Sequence, residues 1–215
     1  MSPSPDHSAL PIGSKLKAIM PHAQNKYIHA LENAMRRYGI TTPKRAAAFL
    51  SQIAVESNQL RHIHENWTSR HDFHLPGVHR EKFTAHNEKE YFEHWYGKRG
   101  KLGNTTSEDG YTYRGRGAIQ ITGKANYQSI GEAIGKPLAE HPDLLEDDPE
   151  VDMLASAYFF AVRAGLLRVA DQVDSSDEFS VFVTNLHLTR GVNGGTNGMH
   201  ERLRFYKKAL AVLSA

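Results

Sequence analysis

The sequence predicts a mainly α-helical fold with at most a short β-hairpin, built as one domain over residues 11–215 behind a flexible N-terminal lead at residues 1–10. Three features carry that expectation. Apolar residues recur at helical spacing in segment after segment, Thr-Pro, Asp-Pro and Gly signals bound those segments, and only Ile119–Thr122 alternates with the period of a strand. At 215 residues with 40% hydrophobic content, the chain is long enough to bury one sizeable core.

Tyr27, Leu31, Met35 and Tyr38 define the first helix, over Lys26–Tyr38, and Gly39 stands where it stops. Thr42 and Pro43 open the second, which runs to about Leu60, because Thr is a good N-cap and Pro suits the first helical position. Phe49, Ile53 and Leu60 form its apolar stripe, and Glu56 falls on that stripe. A third helix, Glu81–Tyr96, buries Phe83, Tyr91, Phe92 and Trp95, and Gly97–Gly110 reads as loop. In Tyr113–Thr122, Ile119 and Ile121 alternate with Gln120 and Thr122, which predicts a short strand showing Gln120 and Thr122 side by side. Glu140–Asp152 holds seven carboxylates in thirteen residues and reads as a solvated approach to a helix. Asp148-Pro149 starts that helix, which buries Val151, Leu154, Ala155, Tyr158, Phe159 and Val162 and ends near Gly165. Phe179, Phe182, Val183 and Leu186 mark another buried helix before a Gly/Asn-rich loop at Thr189–Gly198. Met199, Leu203, Tyr206, Leu210 and Leu213 line one face of the last helix.

Composition removes several function classes. A net charge of +2 lacks the basic excess of nucleic-acid binders, so no nucleic-acid partner is expected. Without a cysteine there is no disulfide scaffold, thiolate zinc site or cysteine nucleophile. The stretch Met1–Leu10 lacks the pattern of a secretory signal and no 18-residue apolar run occurs, so neither signal-driven export nor stable membrane insertion is expected. His62-x-His64 and His71-x2-His74 invite a metal reading. With no Cys and no His-Glu-x-x-His helix beside them, they read as surface imidazoles, and no metal is expected. Gly115-x-Gly117 lacks the third glycine and βαβ context of a dinucleotide loop, so no cofactor is expected either.

Glu56 is the candidate for chemistry. A carboxyl group on the core-facing side of a helix lies where its charged form is disfavoured, which suits a general acid near neutral pH. Periodicity alone leaves a second reading open, in which Glu56 reaches solvent or pairs with Arg61.

Four blocks in order then resemble glycoside hydrolase family 19, in the branch of bacterial and bacteriophage chitinase-like lysozymes that serve as endolysins. They are Ala46–Ser57, Glu65-Asn66-Trp67, Tyr113–Thr122 with Asn126-Tyr127, and Val192–Gly195 with Glu201-Arg202. The resemblance implies a lysozyme-like, two-lobed helical domain with a cleft. It also implies inverting hydrolysis of a β-1,4 bond in an N-acetylated sugar polymer, by two carboxyl groups roughly 6.5–9.5 Å apart. On this reading Glu56, held protonated by a less polar wall, is the general acid, and Glu65, ionised in a polar loop near His64 and Arg61, is the base. Thr122 holds the attacking water. Gln120, Asn126, Tyr127 and Asn193 match sugar-contacting positions, although Asn126 and Tyr127 could equally satisfy backbone groups. Arg202 matches the arginine beside the catalytic carboxylates.

This sequence departs from the family pattern at Val55, where His is frequent, at Asn197, where plant chitinases carry an acid, and at Glu201, where Asp is commoner. Asn197 and the missing cysteines point to a peptidoglycan muramidase, cutting between N-acetylmuramic acid and N-acetylglucosamine, ahead of a chitinase. Such an enzyme is expected to act as a monomer. It would be made in a bacterial cytoplasm and reach the wall through a holin pore or a secretion machine. A non-catalytic glycan-binding module of the same fold is the remaining alternative, and the joint presence of Glu56, Glu65 and Thr122 argues against it.

Overall fold

Where apolar spacing and caps are clearest, helices form. The computed structural model describes residues 10–65, 67 and 85–215. The chain divides into two compact units interleaved along the sequence: one takes residues up to Ile63, Gly117–Gln120 and Leu144–Ala215, the other His64–Arg116 and Ile121–Asp143.

The first unit begins with α1 (Gly13–Ile19), α2 (Tyr27–Arg37) and α3 (Pro43–Glu56). Gly39, in the left-handed region at φ +69°, turns the chain after α2, and Thr42 Oγ1 accepts the Arg45 N–H at 3.3 Å to start α3. Phe49, Leu50 and Ile53 on α3 are fully buried, each contributing about 1.5–3 kcal/mol of apolar burial. The helix stops at Glu56, four residues before the sequence reading. Asn58, Gln59 and Leu60 all take positive φ, forming a left-handed turn. Ser57 Oγ staples it, accepting from Leu60 N–H at 2.8 Å and donating to Ile53 O at 2.5 Å. Leu60 is still core, but it enters from the turn.

The rest of this unit is α7 (Leu144–Asp147), α8 (Pro149–Tyr158), α9 (Leu167–Asp171), α10 (Glu178–Asn193) and α11 (Met199–Ser214), with α3 packed on α11 and α2 on α8. Asp148 caps α8 as expected, but the acidic stretch is not solvated throughout, since Asp152 is 1% exposed. After Tyr158 the chain makes a π turn over Phe159–Arg163, closed by Ala164 N–H to Phe159 O at 2.8 Å. The extra residue in that turn rotates the buried face, so Phe160 is core and Val162 is 56% exposed. On α10 the apolar pattern misleads. The buried stripe is Val181, Thr184, Asn185, Leu188 and Thr189, whereas Phe179 and Phe182 are 73% and 41% exposed. Asn185 and Thr189 are tolerated inside because each donates to the carbonyl one turn earlier, at 2.9 and 2.7 Å. The helix also continues to Asn193, which shortens the expected loop to Gly194–Gly198.

The second unit contains α4 (Glu88–Tyr96), α5 (Glu108–Thr112) and α6 (Lys124–Ile134). Asn87 caps α4 by accepting Glu90 N–H at 2.9 Å. The earlier part of the expected helix, with Phe83, lies outside the described residues, as do His71, His74 and His79. Tyr91 and Phe92 form the buried centre of an aromatic cluster with Trp67, Trp95, Tyr96 and Tyr111 around it. The Gly97–Gly110 loop includes a 3-10 turn at Gly100–Leu102 and gives way to α5. The expected hairpin shrinks to a bridge: Arg116 and Ile121 exchange both backbone bonds, at 3.1 and 2.8 Å, with no strand among the described residues. No described helix is long and apolar enough to cross a membrane.

Candidate active site

In the first unit, Glu56 is the last residue of α3, its side chain 16% exposed. Arg202 approaches from the buried face of α11 and is itself only 2% exposed. Its Nη2 meets Glu56 Oε1 at 2.5 Å, its Nη1 donates to Gln52 Oε1 at 2.9 Å, and its Nε donates to the Asn197 carbonyl at 3.3 Å. Gln52, one turn before Glu56 and fully buried, thus holds the other arm of the fork. Gly198 allows this approach, because a Cβ there would come within 2.9 Å of Val55 Cγ1. The less polar wall expected around Glu56 is therefore interrupted by a fixed guanidinium. Glu56 pairs with Arg202, not Arg61, so the arginine expected beside the catalytic carboxylates touches the acid candidate. Buried as it is, Arg202 acts on Glu56 and not on a sugar.

Gln120 also belongs to this unit, but not as part of a strand. Gly117–Gln120 is a turn in which Gln120 N–H and Nε2 both donate to Gly117 O, at 3.0 and 3.1 Å. Gly117 at φ +77° and Gln120 at φ +57° bend the chain, which removes the polar face that Gln120 and Thr122 were expected to share. Asn193 ends α10, exposed, with Gly194 behind it in the left-handed region.

In the second unit, Glu65 is tied to Gly115 twice. Its N–H donates to Gly115 O at 2.9 Å, and its Oε2 accepts Gly115 N–H at 3.3 Å. Oε1 accepts the Tyr96 hydroxyl at 2.8 Å. Burial, and then the neighbouring Glu65 charge, push the Tyr96 hydroxyl well above the usual phenol range, so it remains a donor across neutral pH. Tyr91 is raised by the same two causes.

Thr122 follows the bridge, half-buried, and its carbonyl accepts Asn126 Nδ2 at 2.6 Å, so Asn126 serves the backbone at the start of α6. Tyr127 is fully buried. Its hydroxyl donates to Arg114 O at 2.7 Å and accepts from Arg116 Nη1 at 3.1 Å. A direct sugar contact by Tyr127 is thereby corrected to a strut beneath the Arg114–Arg116 segment.

Chemically, Glu56 is a carboxyl group with one oxygen clamped by a cation, and Glu65 is a carboxyl group with a hydroxyl donating to one oxygen and a backbone amide to the other. The sequence reading missed Gln52 and Tyr96. Gln52 had a signal in its i−4 spacing from Glu56, whereas Tyr96, 31 residues beyond Glu65, had none.

Comparisons with known proteins bear on the family and the fold. A family 19 glycoside hydrolase model, described as chitinase class I, matches residues 39–173. A glycosyl hydrolase family 19 domain-containing protein of Haemophilus influenzae is 26% identical over 201 residues, covering 88% of this chain and 90% of that one. Endochitinase 2 of Gossypium hirsutum is 29% identical over 119 residues, 48% of this chain and 39% of its own. The crystal structure of chitinase C from Streptomyces griseus superposes with a TM-score of 0.64 at 19% identity, covering 97% of this chain and 78% of that one, which shows a shared helical fold. With the family model spanning well over half of its length, the chain belongs to glycoside hydrolase family 19 and is a chitinase-like glycosidase.

Proposed function

We propose that this protein is a muramidase that hydrolyses the β-1,4 bond between N-acetylmuramic acid and N-acetylglucosamine in bacterial peptidoglycan, with inversion. The observation that carries the mechanism is the Arg202 clamp on Glu56. With Oε1 held, Oε2 carries the proton given to the leaving oxygen, and the carboxylate left behind is stabilised by a cation already in place. Glu65 takes the proton of the attacking water. Its Tyr96 and Gly115 donors fix the orientation of its two oxygens. The Thr122 hydroxyl holds the water, and Gln120 and Asn193 bind sugar groups. Asn197 in place of an acid and a chain free of cysteine support peptidoglycan as the substrate. On this reading the enzyme works as a monomer at the cell wall, delivered by a holin or secretion machine.

The chitinase names of its relatives support a second reading, in which the same residues cut chitin. Mass spectrometry of soluble products separates the two. Muropeptides ending in reducing N-acetylmuramic acid, reduced by about 10²–10⁴-fold with Glu56→Gln, are the expected result. Chito-oligosaccharides from chitin with nothing from peptidoglycan select the second reading, and full activity in Glu56→Gln overturns the assignment of the acid.

A further inference from the structure

Asp152 has no part in the acid–base chemistry, yet it is the least solvated carboxyl group the site region contains, 1% exposed near the start of α8. Its Oδ1 accepts the Ala118 N–H at 2.7 Å and the Ser156 hydroxyl at 3.2 Å. Its Oδ2 has no hydrogen-bond partner among the described residues. Ala118 is the second residue of the turn that ends in Gln120. A side chain at Gly117 would meet Asp152 Oδ1 at 2.7 Å, so the carboxyl group occupies the space that glycine leaves open. The turn also contains Gln120 at φ +57°, a conformation that a non-glycine residue adopts only when its surroundings hold it there.

A helix face does not need a carboxylate in this position, since an apolar residue would fill the space without burying a polar group. What the carboxylate supplies is an acceptor for a turn amide, and a charged acceptor binds that amide more strongly than a neutral one. We propose that Asp152 is a positioning residue: its carboxylate holds the Gly117–Gln120 turn in the form that binds the sugar chain, and the turn loosens when the carboxylate takes up a proton. This inference rests on the proposed role of Gln120 in sugar binding. Burial pushes the Asp152 carboxyl up to about 7, opposed by the Ala118 amide, the Ser156 hydroxyl and Lys26. Lys26, just before α2, and Tyr27, its first residue, are the charged and titratable groups beside it, and Tyr27 is held protonated by burial and by the Asp152 charge. The loosening therefore falls close to neutral pH.

The test compares the wild type with Asp152→Asn and Ser156→Ala between pH 5 and 9, on solubilised peptidoglycan strands and on chitohexaose. In the wild type, KM should fall several-fold as pH rises through about 7, with kcat following a separate profile set by the acid and base. Asp152→Asn should lose that step and keep the weaker, low-pH KM throughout. Ser156→Ala, which removes a bond to the charged form, should move the step to higher pH. In parallel, NMR hydrogen exchange of the Ala118 amide, corrected for intrinsic rates, reads the same grip without substrate: protection should rise through about pH 7 in the wild type only. Ala118 protection indifferent to both pH and Asp152→Asn overturns the proposal, as does an unchanged KM step in Asp152→Asn. If neither glycan is cut, the activity reading fails, and the Ala118 measurement still decides the positioning role.

Discussion

The two candidate catalytic carboxyl groups are nine residues apart in sequence and are held in opposite ways. Glu56 sits on the final turn of a long helix and is gripped by a buried guanidinium that two helices, α3 and α11, fix in place. Glu65 sits on irregular chain, and a phenol and a backbone amide each donate to one of its oxygens. The contrast follows from what each group must do. An acid becomes an anion when it gives up its proton, so a permanent cation beside it stabilises the product of that step, while it lowers the protonated fraction beforehand. A base becomes neutral when it accepts one, and neutral donors such as the Tyr96 hydroxyl and the Gly115 amide orient it at small cost to that step. Asp152 shows what happens when two neutral donors fall on the same oxygen, being a buried carboxyl group with Oδ1 bonded twice and Oδ2 bare.

That third carboxyl group gives the largest expected effect. At ~1.4 kcal/mol per pH unit, displacement from 3.8 to about 7 corresponds to a cost on the order of 4 kcal/mol for the ionised group in the fold. Because the folded state holds this proton more tightly than the unfolded chain does, the stability contributed by Asp152 is complete below about pH 4 and is lost as pH rises through about 7. Urea unfolding at pH 4.5, 6 and 8 should show Asp152→Asn flattening the profile relative to the wild type. Parallel profiles would break the comparison by showing that the carboxyl group is not held against water as the structure depicts. The tighter grip on Ala118 above pH 7 thus comes at the expense of global stability.

Arg202→Met strips the cation from Glu56 and leaves it and Gln52 unpaired in a largely dry place. Breaking a buried pair from one side costs about 3 kcal/mol, or a Tm lower by roughly 6–12 °C for a domain of this size. Calorimetry of Arg202→Met beside the double variant Arg202→Met/Glu56→Gln sharpens the point. The double variant should recover part of the loss, because no carboxyl group is left without its partner. No recovery would mean that Arg202 acts through packing alone.

The same contrast explains what could be read from the sequence. The starts of α3 and α8 were legible because a capping side chain and Pro act locally, through Thr42-Pro43 and Asp148-Pro149. Glu56 was legible as a core-facing carboxyl group, since periodicity places it there. Its partner was not, because Arg202 is 146 residues away and reaches α3 only through tertiary packing. The outer face of α10 was misread because the Asn185 amide and the Thr189 hydroxyl donate to carbonyls of their own helix, so polarity no longer marks the solvent side. Ile119–Thr122 was misread because two alternations are too few to distinguish a strand from a turn, and Gly117 decides the matter with a positive φ. The end of α3 was hidden for a related reason: nothing in Gln59 or Leu60 announces a left-handed turn.

On the Glu65 side the predicted effect is smaller. Tyr96→Phe removes one neutral donor to a partly exposed carboxylate, about 1.5–2 kcal/mol, which corresponds to kcat/KM lower by roughly 10–30-fold. KM should change little, because the phenol orients the base and does not contact the sugar. Steady-state kinetics on the substrate identified by mass spectrometry gives the split. A loss confined to KM would place Tyr96 in sugar binding and remove it from the groups that orient the base.

The smallest effect lies in the chain joining the two carboxyl groups. Asn58, Gln59 and Leu60 are three successive non-glycine residues in left-handed geometry, at φ +47°, +62° and +61°. Each costs about 1 kcal/mol or more relative to glycine in that conformation. Asn58 tolerates it best, and Leu60 is needed in the core, so Gln59 is the position to relieve. Its side chain makes only a long 3.4 Å contact with the exposed His22 N–H, which water replaces at little cost. Gln59→Gly gives the unfolded chain extra freedom, which offsets part of the relief, and the net gain should be about 0.5–1 kcal/mol. It should appear as a higher urea midpoint with an unchanged slope. Unaltered kcat in the stabilised variant would show that Gly115 and Tyr96 place Glu65 and that the turn merely connects. A fall in kcat with the same gain in stability would show that the left-handed turn itself sets where Glu65 stands, so that Glu56 and Glu65 are positioned by one continuous piece of backbone.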